Sequence, residues 1–142
     1  MDPTQQKIVG VVGFTGLVGQ ELVNLLTKSI NIKQIILYKR EFTNSSREPP
    51  QGPTVTIENY NLHSVRKCDF VFLCATSEFS KTEAPKIIEN NTTVVIDNSS
   101  AFRYTNTVPL VIPEINGHIL TQNNYQLIGN PNCTTAIMLM AI

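Results

Sequence analysis

Gly129-Asn130-Pro131-Asn132-Cys133-Thr134-Thr135 is a polar turn that sets one cysteine directly before an apolar, helix-forming run, Ala136 to Ile142. A cysteine so placed presents its sulfur at a helix N-terminus, where free N–H groups and the positive end of the helix dipole favour thiolate over thiol. A thiolate is a nucleophile, and the chemistry expected of it is covalent attack on a carbonyl carbon. A lone cysteine in such a turn is otherwise a half-buried structural residue. The remainder of the chain decides between the two.

A second candidate is the turn Gly13-Phe14-Thr15-Gly16-Leu17-Val18-Gly19, between a β-branched run and an amphipathic stretch. Glycine lets backbone approach a pyrophosphate closely, and the helix that follows supplies N–H donors and positive potential. The spacing is GxxGxxG rather than GxGxxG, with Thr15 where the middle glycine would fall. Many strand–helix turns need glycine only for positive φ. The flanking strand and helix favour dinucleotide binding here. At the end of the next strand stands Tyr38-Lys39-Arg40. Two cations at that point fit the 2′-phosphate of NADP, with Arg40 able to bind it bidentately. Glu41 beside them leaves an ordinary solvated loop as the alternative.

A third is Asp97-Asn98-Ser99-Ser100-Ala101-Phe102-Arg103, following a buried strand at the edge where open α/β sheets bind ligands. Arg103 can clamp a phosphate or carboxylate there. Equally, it can pair with Asp97 or lie in solvent. Pro113-Glu114-Ile115-Asn116 reads as the start of a short helix. His63 and His118, the only histidines, sit in polar contexts expected at the surface.

The elements that must position these residues alternate. Strands are expected at Lys7 to Val12, Gln34 to Tyr38, Thr54 to Glu58, Asp69 to Cys74 and Thr93 to Ile96, with weaker candidates at Leu110 to Ile112 and Tyr125 to Ile128. One helix runs to about Lys28, with Val18, Leu22, Leu25 and Leu26 as its apolar face, and another over Ser80 to Asn90. Arg40 to Pro53, with three prolines, reads as a loop. The fold class is α/β: a Rossmann-like, doubly wound, mostly parallel sheet wrapped by helices. At 142 residues and formal net charge zero, the chain can bury one core and shows no nucleic-acid patch. No apolar run reaches membrane-spanning length, and the polar start lacks a signal core. Cys68, Cys74 and Cys133 are an odd set without CxxC spacing, so neither zinc nor disulfides are expected, and a cytoplasmic location is.

Four segments together resemble aspartate-semialdehyde dehydrogenases: Gly13 to Gly19, Asp97 to Arg103, Val108 to Asn116, and Asn130-Pro131-Asn132-Cys133-Thr134-Thr135. They cover nearly the whole chain, in the family's order. The resemblance implies that Cys133 becomes an acyl-thioester, that Arg103 holds the phosphate of an acyl phosphate, and that Asn132 borders the same pocket. It implies that Thr15, Gly16, Leu17 and Val18 wrap the pyrophosphate of NADP, with Arg40 at the 2′-phosphate. The substrates implied are aspartyl phosphate, aspartate semialdehyde and phosphate, in the route to lysine, threonine, methionine and isoleucine. Residues 1–130 would form the NADP-binding domain, and residues 131–142 would open an α+β catalytic and dimerisation domain of a longer homodimer or homotetramer. That domain would carry the general-base histidine, and the 142 residues alone are expected to show no robust turnover.

The chain departs from many members after the cysteine, where Thr134-Thr135-Ala136-Ile137 replaces a Ser-Thr followed by glutamine, and after Arg40, where a small Ser-Ala-Gly stretch is missing. N-acetyl-glutamyl-phosphate reductases, with glycine before the cysteine, and malonyl-CoA reductases are the nearest rivals. Glyceraldehyde-3-phosphate dehydrogenase shares only Cys-Thr-Thr. A non-catalytic NADP-binding module and a thiol redox sensor are alternatives from other classes.

Overall fold

A computed structural model describes residues 6–39 and 54–142. The chain runs β1 (Lys7–Val12), α1 (Leu17–Leu26), β2 (Ile32–Lys39), β3 (Thr54–Asn59), α2 (Leu62–Val65), β4 (Phe70–Leu73), α3 (Ser77–Ile88), β5 (Val94–Asp97), α4 (Pro113–Asn116), α5 (Ile119–Gln122), β6 (Leu127–Gly129) and α6 (Cys133–Ala141). The strands form one sheet in the order β3-β2-β1-β4-β5-β6, and every pairing is parallel. The order reverses direction beside β1, which makes the crevice between β1 and β4 the place where such sheets hold ligands.

Register explains how distant segments meet. Glu58, Tyr38, Val12, Leu73, Asp97 and Gly129 stand side by side in one row across the sheet. Each of the three turns singled out by sequence therefore leaves the sheet from the same carboxyl edge.

Alternation along the strands divides the core between two faces. Val9, Val11, Ile35 and Leu37 pack with Phe14 and Val23, under α1. Val12, Tyr38, Val71, Leu73 and Val95 pack with Val65, Ala84 and Ile87, under α2 and α3. The parallel strands need both faces covered, as their β-branched content requires.

The buried face of α1 is not the one expected. Gly19 and Val23 are buried, with Leu22 and Leu26 packed beside them, whereas Val18 and Leu25 are 53% and 57% exposed. Gly19 escapes an apolar pattern because it contributes closeness rather than surface. Helix α3 begins three residues earlier than expected, because Thr76 accepts the Phe79 N–H and caps it there. Leu110 to Ile112 is no strand but a single parallel bridge, Leu110 to Gly129. Pro109 and Pro113 flank it and donate nothing to a ladder, and β6 offers only three residues. The short helices α2 and α5 were not anticipated. The Arg40 to Pro53 loop lies outside the described residues.

Four thiol and phenol protons, those of buried Tyr38 and Cys68 and half-buried Tyr60 and Cys74, make stability depend on alkaline pH. Burial pushes the Cys74 thiol up to about 11, helped by the Asp97 charge, and raises Cys68 as well. Burial also raises the Tyr38 and Tyr60 phenols well above their ordinary range, with the Glu83 hydrogen bond adding at Tyr60. Free thiols and phenols ionise near about 8.5 and 10, so above those values the unfolded chain has released protons that the folded chain still holds. Stability then falls as pH rises, by up to about 1.4 kcal/mol per pH unit for each group retaining its proton. Urea midpoints are expected to be level from pH 6 to 8 and to fall steadily between pH 9 and 11. A midpoint unchanged at pH 10.5 would contradict this account.

Candidate functional site

The glycine turn is shaped by two backbone contacts. Gly13 has φ +82°, a conformation side chains rarely adopt, and a Cβ there would lie 2.3 Å from the Cys74 carbonyl oxygen. A Cβ on Gly19 would lie 2.4 Å from the Gly13 oxygen, so α1 is drawn down onto the turn. The Gly16 N–H donates to Gly13 O at 3.2 Å, and Gly16 is the N-cap of α1 with no side chain to occupy its free donors. Thr15, Gly16, Leu17 and Val18 are all exposed, Leu17 to 89%. Two apolar side chains standing in solvent at an uncapped helix start suit a site that an anionic, partly apolar ligand covers.

Beside the turn lies a cavity of ≈ 250 Å³ lined by Gly13, Thr15, Lys39, Tyr60, Thr76 and Phe79, among others. Lys39 closes β2 and lines this cavity. Arg40 lies outside the described residues. A dinucleotide fits these residues: a bare helix start for phosphates, an apolar slot for a base, and a cation beside it.

The second turn is wound around a buried carboxylate. Asp97 is fully buried, and its Oδ1 accepts from Ser80 Oγ at 2.6 Å and Ser99 N–H at 3.2 Å, while Oδ2 accepts from Ser99 Oγ at 2.8 Å. Arg103 neither pairs with Asp97 nor lies free. Its Nε donates to Asn130 O at 3.0 Å and its Nη2 to Asn98 O at 3.0 Å, so one edge of the guanidinium bridges the turns after β5 and β6. Asn130 Nδ2 adds a 2.7 Å bond to Asn98 Oδ1. Those two bonds commit the Nε and Nη2 edge of the guanidinium to backbone carbonyls. The same bridge gives Arg103 a structural share. Arg103→Lys, which can reach only one of the two carbonyls well, is expected to lower unfolding free energy by about 1–2 kcal/mol. Denaturant titration checks this, and an unchanged midpoint would show that the bridge carries no load.

Cys133 is the first residue of α6 and is exposed. Asn132 is the N-cap: its Oδ1 accepts the Thr134 N–H at 2.8 Å and lies 3.8 Å from Cys133 Sγ. The turn leading there is buttressed from the far side. Val111 N–H donates to Gly129 O at 3.0 Å, Gly129 N–H donates to Pro109 O at 2.9 Å, and Asn116 locks the buttress by bonding Ile112 N–H and Leu110 O. Arg103, Asn130 and Cys133 thus belong to one connected edge. A cleft of ≈ 560 Å³ between α4 and α6, lined by Glu114, Asn130, Ile137 and Met140, opens beside it.

His63 and His118 are exposed, as expected. Among the described residues no group of three or more His, Cys, Asp or Glu side chains could hold a metal, and no helix is long and apolar enough to cross a membrane. Sequence reasoning missed three contributors. Asn98 had no role assigned, and Tyr60 and Phe79 reach the cavity beside the glycine turn from separate segments with no motif around them.

Fold and glycine turn together define a Rossmann-like, dinucleotide-binding type of α/β domain. Comparison with known proteins narrows this: the chain belongs to the family described as semialdehyde dehydrogenase, NAD binding domain, whose pattern matches residues 8–123. It is 37% identical over 135 residues to an aspartate-semialdehyde dehydrogenase of Synechocystis, covering 94% of this chain and 39% of that protein. It is 33% identical to aspartate-semialdehyde dehydrogenase 2 of Vibrio cholerae, covering 98% of this chain and 42% of that one. The crystal structure of aspartate semialdehyde dehydrogenase II from Vibrio cholerae, complexed with ASA, superposes with a TM-score of 0.83 at 32% identity, over 96% of this chain and 45% of that one. The chain therefore spans about two fifths of the length of these curated relatives.

Proposed function

We propose that this chain is the cofactor-binding part of an NADP-dependent aspartate-semialdehyde dehydrogenase and carries its nucleophile. The observation that supports this most is the single edge on which the glycine turn, Arg103 and Cys133 all emerge. Residues 131–142 open the catalytic half. The exposed apolar coat of α6, with Ile137 72% and Met138 59% accessible, suits a helix that another domain covers.

In the direction of aldehyde formation, the Cys133 sulfur attacks the acyl carbon of L-4-aspartyl phosphate. The C–O bond to phosphate breaks, and the aspartyl group stays on sulfur as a thioester. Arg103 receives the departing phosphate with the donors that Asn98 and Asn130 leave free. Asn132 occupies the Thr134 N–H, so the oxyanion faces other donors of the first turn. The nicotinamide, when bound in its reduced form, would supply a hydride to the thioester carbon, and cleavage of the C–S bond would then return the Cys133 thiolate and free L-aspartate 4-semialdehyde. Gly13, Thr15, Gly16, Leu17 and Val18 hold the pyrophosphate, and Lys39 with Arg40 favours the 2′-phosphate.

The test has two arms. The 142-residue chain should bind NADPH, and more tightly than NADH. Joined to the catalytic half of a relative, it should reduce NADP with aspartate semialdehyde and phosphate, in preference to N-acetylglutamate semialdehyde, and should show no malonyl-CoA reduction. A chain that binds no dinucleotide would sink the reading.

A further inference from the structure

The cavity beside the glycine turn holds only ≈ 250 Å³. Pockets that enclose a whole drug-sized ligand run about 300–1,000 Å³, so this one accommodates one end of a dinucleotide rather than all of it. Its composition says which end. Its lining combines the glycine turn, from Gly13 to Thr15, with Lys39 and with the aromatic rings of Tyr38, Tyr60 and Phe79. A flat, aromatic base next to a 2′-phosphorylated ribose satisfies all three features together.

Tyr60 is held in place among these rings from several directions. Its ring meets Phe79 edge-on, with centroids 5.1 Å apart and planes at 75°, and Tyr38 at 6.2 Å and 77°. Its backbone N–H donates to Lys39 O at 2.8 Å, tying it to the last residue of β2. Its hydroxyl donates to Glu83 Oε2 at 2.7 Å, and Glu83 Oε1 in turn accepts from Lys86 Nζ at 2.8 Å. The Glu83 side chain is only 15% exposed. Burying a carboxylate costs folding free energy, and an apolar residue at that place on α3 would serve packing as well or better. Burial opposes its charge, but the bonds from Lys86 and Tyr60 outweigh that and hold the carboxyl below its ordinary range. The outcome is an acceptor always present for the Tyr60 hydroxyl.

We propose that Tyr60 is the wall against which the adenine base of the cofactor packs, and that Glu83 is a positioning residue that fixes the Tyr60 ring. The proposal rests on the dinucleotide reading above and deepens it by assigning the adenosine end.

Binding to the 142-residue chain is measured by calorimetry with three probes. NADPH carries both ends, adenosine 2′,5′-bisphosphate the adenosine end alone, and reduced nicotinamide mononucleotide the other. Tyr60→Leu is expected to weaken NADPH and adenosine 2′,5′-bisphosphate about tenfold or more, the loss of one base–aromatic stack, and to leave reduced nicotinamide mononucleotide within twofold. Glu83→Ala should weaken the same two probes about threefold or more, and Glu83→Gln, which keeps an acceptor for the hydroxyl, should restore them. In the unaltered chain, 8-azido-adenosine 2′,5′-bisphosphate should photolabel the peptide bearing Tyr60, an observation that needs no variant to fold. Unchanged adenosine 2′,5′-bisphosphate affinity in folded Tyr60→Leu, or label found only on other peptides, overturns the proposal while the dinucleotide reading stands. Failure of the unaltered chain to bind either NADPH or adenosine 2′,5′-bisphosphate overturns both.

Discussion

Replacing Cys133 by serine is expected to lower NADP reduction by aspartate semialdehyde about a thousandfold or more when the chain is joined to a catalytic half. The hydroxyl is essentially un-ionised at neutral pH, and a nucleophile lost outright removes the covalent step rather than weakening it. The substitution isolates chemistry from folding. Serine is comfortable at the first position of a helix, and the cap beside it belongs to Asn132, whose bond to the Thr134 N–H does not involve the sulfur. NADPH affinity and the urea midpoint should therefore stay at their unaltered values. Intact mass after exposure to L-4-aspartyl phosphate should show an aspartyl adduct on the parent and none on Cys133→Ser. A serine variant within tenfold of the parent rate would remove Cys133 from the mechanism.

The largest structural effect is expected from Gly13→Ala. Its Cβ would sit 2.3 Å from Cys74 O and 2.7 Å from the Cys74 carbonyl carbon, both backbone atoms. Neither can swing aside as a side-chain tip can. Cys74 is itself pinned, because its N–H donates to Val12 O at 2.9 Å between β1 and β4. The left-handed conformation adds a further cost of about 1–2 kcal/mol for a residue with a side chain. Together these should lower stability by about 3 kcal/mol or more, a large share of the roughly 5–15 kcal/mol typical of a domain. The turn can relieve the clash only by moving away from β4, so NADPH affinity should fall more than tenfold even where the variant folds. Loss of less than about 1 kcal/mol in denaturant would show that the close approach is not rigid.

The strands of this fold were largely legible because buried parallel strands read as continuous β-branched runs, as in Lys7 to Val12 and Asp69 to Cys74. Punctuation by glycine located the turn after β1, and the polar run before Ala136 located Cys133 at the head of α6. What was illegible falls into two kinds. Gly19 and Pro109 act by what they lack, a side chain and a donor, and an apolar pattern has no symbol for either. Arg103 and Tyr60 act on partners that no local pattern links to them: the backbone carbonyl of Asn130, beside that of nearby Asn98, in the one case, Phe79 and Glu83 in the other. A guanidinium among small polar residues looks like an anion receptor whether or not half of it already holds two loops together. Only the register of the sheet reveals that those loops are neighbours.

That sheet order has a consequence for biosynthesis. β1 is made first yet lies between two strands, and it gains its β2 neighbour only after residue 39 and its β4 neighbour only after residue 73. Until then an apolar, unpaired flank stands open, the kind of surface that invites wrong pairing. The nascent chain cannot close this gap by local contacts, since each parallel partner arrives only across a long crossover. Slow translation through the stretch from β2 to β4 would prolong that exposure.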